Sequence, residues 1–144
     1  MTIKFQDYIS IKIHKTDLNL TSYIKSKLDE FKLAPEQNLV MMLLWEKDGM
    51  TQNQLAEKLG KDKTNIARMA SSLEKKGFIK RMSCQNDRRS LELYLTDTGK
   101  ELGCKVLPIA EEFNKIVCKD ISPEELAELE RLLLKINSNV QREL

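Results

Sequence analysis

Two short helical patterns separated by a three-residue break, between Thr51 and Gly77, constrain this chain more than any other feature. Thr51 and Gln54 stand at the T-x-x-Q spacing of a capping box, which predicts a helix reaching about Leu59. Gly60-Lys61-Asp62 leaves only a tight connection, and the Asp62 carboxylate can cap the next helix. That helix, residues 63–76, sets Ile66, Met69, Ala70 and Leu73 at i, i+3, i+4 and i+7, one buried stripe. Gly77 ends it. The pair is a helix-turn-helix, and a hairpin beyond Gly77 makes it winged. Phe78 to Ser83 reads as a weakly alternating strand, and Cys84 to Arg89 as a long polar tip. Leu91, Leu93 and Leu95 then alternate with Glu92 and Tyr94, a half-buried return strand.

The flanks are helical. With 5 Gly and 3 Pro in 144 residues, a turn-rich sandwich or barrel is disfavoured. Leu20, Tyr23, Ile24, Leu28 and Phe31 recur at helical spacing, predicting a first helix over residues 6–31. Pro35 suits the first position of a second helix, whose apolar block Leu39 to Trp45 should lie mid-fold and whose end is expected near Gly49. A fifth helix, capped by Thr96 and reaching about Lys119, should bury Leu102, Val106, Ile109, Phe113, Ile116 and Val117, with a kink at Pro108. Ser122-Pro123-Glu124-Glu125 is another capping box. Behind it Leu126, Leu129, Leu133, Ile136 and Val140 are spaced 3, 4, 3, 4, a seam that seeks a partner helix. The expected fold is mainly α, six helices in all: a winged helix-turn-helix lobe with a small β-hairpin over residues 33–99, on a helical dimerisation region of residues 1–32 and 100–144.

The formal charge of +2 conceals a division. Residues 55–90 hold 10 basic and 4 acidic side chains, a net of +6, whereas residues 96–144 hold 7 and 10, a net of −3. A basic middle on a neutral-to-acidic scaffold is the footprint of a nucleic-acid-binding module. The outward residues of the second motif helix fit that partner: Lys63, Thr64, Asn65, Arg68, Ser71, Ser72 and Lys75, with no acid between Lys63 and Leu73. Arg reads guanine and Asn reads adenine by paired hydrogen bonds in the major groove, and small side chains permit close approach. On the wing, residues 83–90, Arg88 and Arg89 can enter a narrow minor groove, and Asp87 is assigned to hold Arg89 by an ion pair.

Taken together, these passages closely resemble the MarR family of bacterial transcription regulators over essentially the whole chain. The most specific are Leu33-Ala34-Pro35-Glu36-Gln37, Thr51-Gln52-Asn53-Gln54-Leu55-Ala56 and Leu73-Glu74-Lys75-Lys76-Gly77-Phe78. Asp87-x-Arg89 and Leu95-Thr96-x-x-Gly99 complete the set. The resemblance implies a homodimer built from the first, fifth and sixth helices, two winged lobes on pseudo-palindromic double-stranded DNA, and sensing of a ligand or oxidant between dimer region and lobe. It also marks Arg89 as the minor-groove residue. Asp62 replaces the serine often found at the recognition-helix cap and serves the same purpose.

A dimer would place its recognition helices in successive major grooves, about 34 Å apart. A repressor released by a small apolar or aromatic effector is the expected function, with Tyr8, Ile9, Met41, Met42, Trp45 and Phe113 as candidate pocket residues. A redox alternative acts through Cys84, beside Arg81, Arg88 and Arg89, where positive charge favours thiolate. Peroxide-sensing members usually carry their cysteine in the first helix, which has none here. The other alternative is a helical dimeric adaptor that binds protein instead of DNA. No cofactor, metal site or enzymatic motif is expected, and His14 is the only histidine. The longest apolar run, Leu39 to Trp45, is far short of the about 20 residues of a membrane span. With no apolar leader and three unpaired-looking cysteines, a cytoplasmic location is expected.

Overall fold

Six helices span Ile9–Leu28 (α1), Pro35–Glu46 (α2), Gln52–Leu59 (α3), Lys63–Lys75 (α4), Asp97–Val117 (α5) and Pro123–Gln141 (α6). Strands Met50–Thr51 (β1), Ile79–Cys84 (β2) and Asp87–Leu95 (β3) form an antiparallel sheet in the order β1-β3-β2. This is a computed structural model describing residues 2–84 and 87–144, with the backbone alone at 84 and 87–89. The mainly helical, winged architecture is the one expected. No helix among the described residues is long and apolar enough to cross a membrane.

By internal contacts the chain falls into two compact units, one ending at Ile109 and one spanning Ala110–Leu144. The first holds the core. Leu28, Leu33, Val40, Met41, Leu44, Leu55, Ile66, Leu73, Ile79, Leu93 and Val106 are almost wholly buried, so α1, α2, the helix-turn-helix, the sheet and the start of α5 share one apolar interior. Gly99 and Gly103 let this α5 segment approach its neighbours closely. A Cβ on Gly99 would lie 2.1 Å from the Phe78 carbonyl oxygen, and one on Gly103 would lie 2.8 Å from the Trp45 indole nitrogen. Trp45 donates from that nitrogen to the Gly99 carbonyl at 2.9 Å, locking α2 to α5.

Several boundaries differ from expectation for identifiable reasons. The first helix is three pieces: a 3₁₀ turn at Phe5–Asp7, α1, and a 3₁₀ turn at Asp29–Phe31 closed by Lys32 in the left-handed region (φ 55°). α2 stops at Glu46 instead of near Gly49, because the Asp48 carboxylate accepts the N–H groups of Gly49 (3.0 Å) and Leu95 (2.8 Å). That grip turns the chain into β1, a strand too short to show in the sequence pattern, where Met50 pairs with Leu93. Nor is α2 buried all round, since Leu39 and Met42 are exposed. The polar tip is shorter than expected, because the backbone of residues 87–90 continues β3 and the register shifts between Ser83 and Cys84.

In the second unit, the α6 cap forms as predicted, Ser122 and Glu125 exchanging side-chain-to-backbone hydrogen bonds. No α6 residue is buried. Ile116 and Val117, expected inside, are exposed, because the last buried apolar residue among those described is Val106, well before them on α5.

Candidate nucleic-acid interface

The second motif helix begins where its cap dictates. Asp62, in extended conformation, accepts the Asn65 N–H at 2.7 Å, which satisfies one of the free donors of the first turn. Ile66, Met69, Ala70 and Leu73 are buried as the spacing requires. Gly60, at φ 63°, makes the turn from α3, whose Leu55 and Ala56 pack inside. With that stripe inward, Lys63, Thr64, Arg68 and Lys75 are exposed, while Asn65, Ser71 and Ser72 are half-buried. Lys63, Arg68 and Lys75 carry their charge into solvent, with no hydrogen bond or ion pair to any described residue. The result is a cationic face whose donors are unspent.

Ser72 is different. Its hydroxyl accepts a hydrogen bond from Gln37 Nε2 at 3.0 Å, so part of its capacity is turned toward α2. Lys76, one residue past α4, donates to Gln37 Oε1 at 2.8 Å and to the Lys32 carbonyl. Lys61, in the motif turn, pairs with Glu36 at 2.9 Å.

The helix is also tied to the wing. Glu74 accepts the Arg81 backbone N–H at 2.9 Å and receives its guanidinium at 3.2 Å, joining the end of α4 to β2. The hydrogen bond from the Arg81 backbone, followed by its guanidinium, holds the Glu74 carboxyl below the usual carboxylate range. Sequence reasoning passed over this pair. The available signal was Glu74 itself, the first acid of an otherwise acid-free helix, set directly after a buried leucine. Asp87, Arg88, Arg89 and Cys84, the wing candidates, have side chains outside the described residues.

Comparison with known proteins places this geometry. Residues 33–91, from the start of α2 into the wing, match the family model described as MarR family. Transcriptional repressor MprA of Escherichia coli is 33% identical over 104 residues, covering 72% of this chain and 59% of that protein. The organic hydroperoxide resistance transcriptional regulator of Bacillus subtilis is 27% identical, covering 74% and 73%. The chain belongs to the MarR family. It is a MarR-family transcriptional regulator, and the members it matches are regulators rather than enzymes. Among solved structures, the S. aureus MepR–DNA complex matches with a TM-score of 0.85 at 25% identity, covering 92% of this chain and 98% of that one.

In this MarR-family chain the candidate effector residues are dispersed. Met41 is fully buried in the core, whereas Tyr8 and Ile9 are exposed on and beside α1. Phe113 is half-buried in the second unit. Met42 and Trp45 do share a cleft of about 400 Å³ within the first unit, with Leu39, Leu43, Glu46, Leu59 and Leu107. The walls are apolar except for one carboxylate.

Proposed function

We propose that the chain is a homodimeric, sequence-specific repressor of the reducing cytoplasm that grips a pseudo-palindromic operator in double-stranded DNA. In this reading α4 enters the major groove with Lys63, Thr64, Asn65, Arg68, Ser71 and Lys75 facing it, while the Ser72 hydroxyl is held by Gln37. Residues 83–90 reach the minor groove through Arg88 and Arg89, which Asp87 orients. Residues 33–99 act as the DNA-binding lobe, and residues 1–32 and 100–144 as the dimerisation region.

One observation carries the reading: α4 presents Lys63, Arg68 and Lys75 to solvent with no described protein partner, on a helix without an acid before Glu74. A structural surface helix of this length ordinarily pairs or intersperses its charges. The likeness to MepR, a protein solved on DNA, supports the same partner. Support for the dimer comes from α6, where Leu129, Leu133 and Val140 remain 48%, 40% and 55% exposed along one seam. A small apolar effector is assigned to the cleft at Met42 and Trp45, where occupancy would shift α2 against α5 and release DNA.

The test is selection of a binding site from random DNA, followed by salt titration on the selected sequence. A palindrome should emerge, and with about six phosphate contacts the log–log slope should be about −5. A slope near zero, or no preferred palindrome, overturns the reading.

A further inference from the structure

Which residues decide how α4 is presented, given that several of its own side chains point at DNA? We infer that the first turn of α2 is a clamp that positions the recognition helix, and that Ser72 belongs to this clamp rather than to the base-reading face. The inference rests on the DNA-binding reading above.

Glu36 and Gln37 are successive residues just after the Pro35 start of α2, so their side chains leave the helix about 100° apart. They reach opposite ends of the same helix. Glu36 holds Lys61, one residue before the α4 cap, at 2.9 Å. Gln37 holds Ser72 and Lys76 at the other end. The two grips thus bracket the whole of α4, a span of about 20 Å at 1.5 Å per residue.

Gln37 uses both ends of its amide. Lys76 has only protons to give, so it faces Oε1, which also accepts the Ala34 N–H at 3.3 Å; Nε2 is left to donate to Ser72. Ala34 has no side-chain acceptor, so only the returning half of a capping box forms there. A glutamate could accept from Lys76 but could not donate to the Ser72 hydroxyl oxygen, and a leucine could do neither. The far end of α2 is immobilised by Val40, Met41 and Leu44, all buried in the core. Lys76 further ties α4 to the Lys32 carbonyl, at the left-handed joint between α1 and α2. Movement of that joint would therefore be felt first at the C-terminal half of α4.

Base-edge hydrogen bonds tolerate little displacement, whereas long cationic side chains follow phosphates across a wide arc. A loosened clamp should thus cost recognition of the palindrome and spare non-specific affinity. Gln37→Leu and Ser72→Ala, singly and together, test this in the full-length protein. Each single change should weaken palindrome binding about tenfold, and the pair should weaken it no further. Affinity for random duplex and the salt slope should stay within about twofold of the parent.

Hydrogen exchange on the DNA-free protein reads the clamp directly. Amides of Ser71 to Lys75 should exchange about tenfold faster in both variants, with α3 amides unchanged. Unchanged exchange in α4 overturns the clamp, whether or not DNA binds. Faster exchange with parental palindrome affinity overturns its role in recognition. Additive losses in the double variant return Ser72 to the base-reading face. A parent protein without palindrome preference fails the DNA-binding reading instead, and the exchange result then decides the clamp alone.

Discussion

The two units solve the problem of apolar surface in opposite ways. Every buried apolar side chain among the described residues lies between Leu28 and Val106. The second unit has its own apolar seam on α6, in a strict 3, 4, 3, 4 spacing, and buries none of it. The first unit hides leucines such as Leu28, Leu44, Leu55 and Leu73 within its own fold, although Leu18 and Leu39 stay exposed; in the second no leucine is buried. Burial of an apolar side chain contributes about 1.5–3 kcal/mol wherever it occurs. The difference lies in whether that contribution is intramolecular or, in the proposed dimer, comes from a second copy. The lobe core of residues 33–99 should therefore unfold at a temperature that does not depend on concentration, whereas α6 should be lost at lower temperature on dilution.

Three substitutions, in descending order of effect, put that contrast at risk. Leu73→Ala, in the buried stripe of α4, should lower unfolding free energy by about 2–5 kcal/mol in denaturant titrations, equally at every protein concentration. Gly99→Ala drives a methyl onto the Phe78 carbonyl oxygen, backbone that cannot rotate away, and should cost about 3 kcal/mol in the same experiment. Leu133→Ala should behave differently. It removes about 2 kcal/mol per subunit from association, seen as a weaker self-association constant in sedimentation. Its effect on thermal unfolding should fade on dilution. A concentration-independent loss from Leu133→Ala would erase the distinction between the units.

The same division separates the features legible in the sequence from those that were not. Caps and buried stripes are local, so Thr51, Asp62, Ser122 and the Ile66-to-Leu73 stripe appear in the structure where their spacing puts them. The seam on α6 was legible as an apolar spacing, but whether it is covered is not a property of one sequence segment. What escaped was polar and long-range. Asp48 ends α2 early by binding Leu95, 47 positions away, and Gln37 meets Ser72 across 35. No periodicity encodes such a pair, because one side chain and one distant backbone or hydroxyl group leave no repeated pattern. Asp48-Gly49 did carry a turn signal, yet its consequence, a short strand against β3, depended on where Leu93 and Leu95 would lie. The site was legible in part for the same reason: the cationic face comes from helical spacing, the contacts that orient it do not.

An ion pair in each unit sharpens the contrast at the smallest scale. Glu128 and Arg131 sit one turn apart on α6 at 2.6 Å, both exposed, so the pair stiffens a helix that is already formed. Glu74 and Arg81 join two different elements, and the carboxylate also takes a backbone N–H of the wing. Because folding lowers the Glu74 pKa, its contribution is fully present above the ordinary carboxylate range and is lost as pH falls through and below that range. With the Glu74 side chain 37% exposed, solvent screening limits that contribution to below about 1 kcal/mol. Glu74→Gln should therefore lower stability slightly at neutral pH and not at all in acid, where the parent carboxyl is protonated too. Its clearer signature belongs to the wing, whose β2 amides, Arg81 first, should exchange faster at neutral pH and match the parent in acid. Glu128→Gln should leave those amides unchanged at either pH. If both substitutions disturb the wing alike, the connection between α4 and β2 is not what holds it.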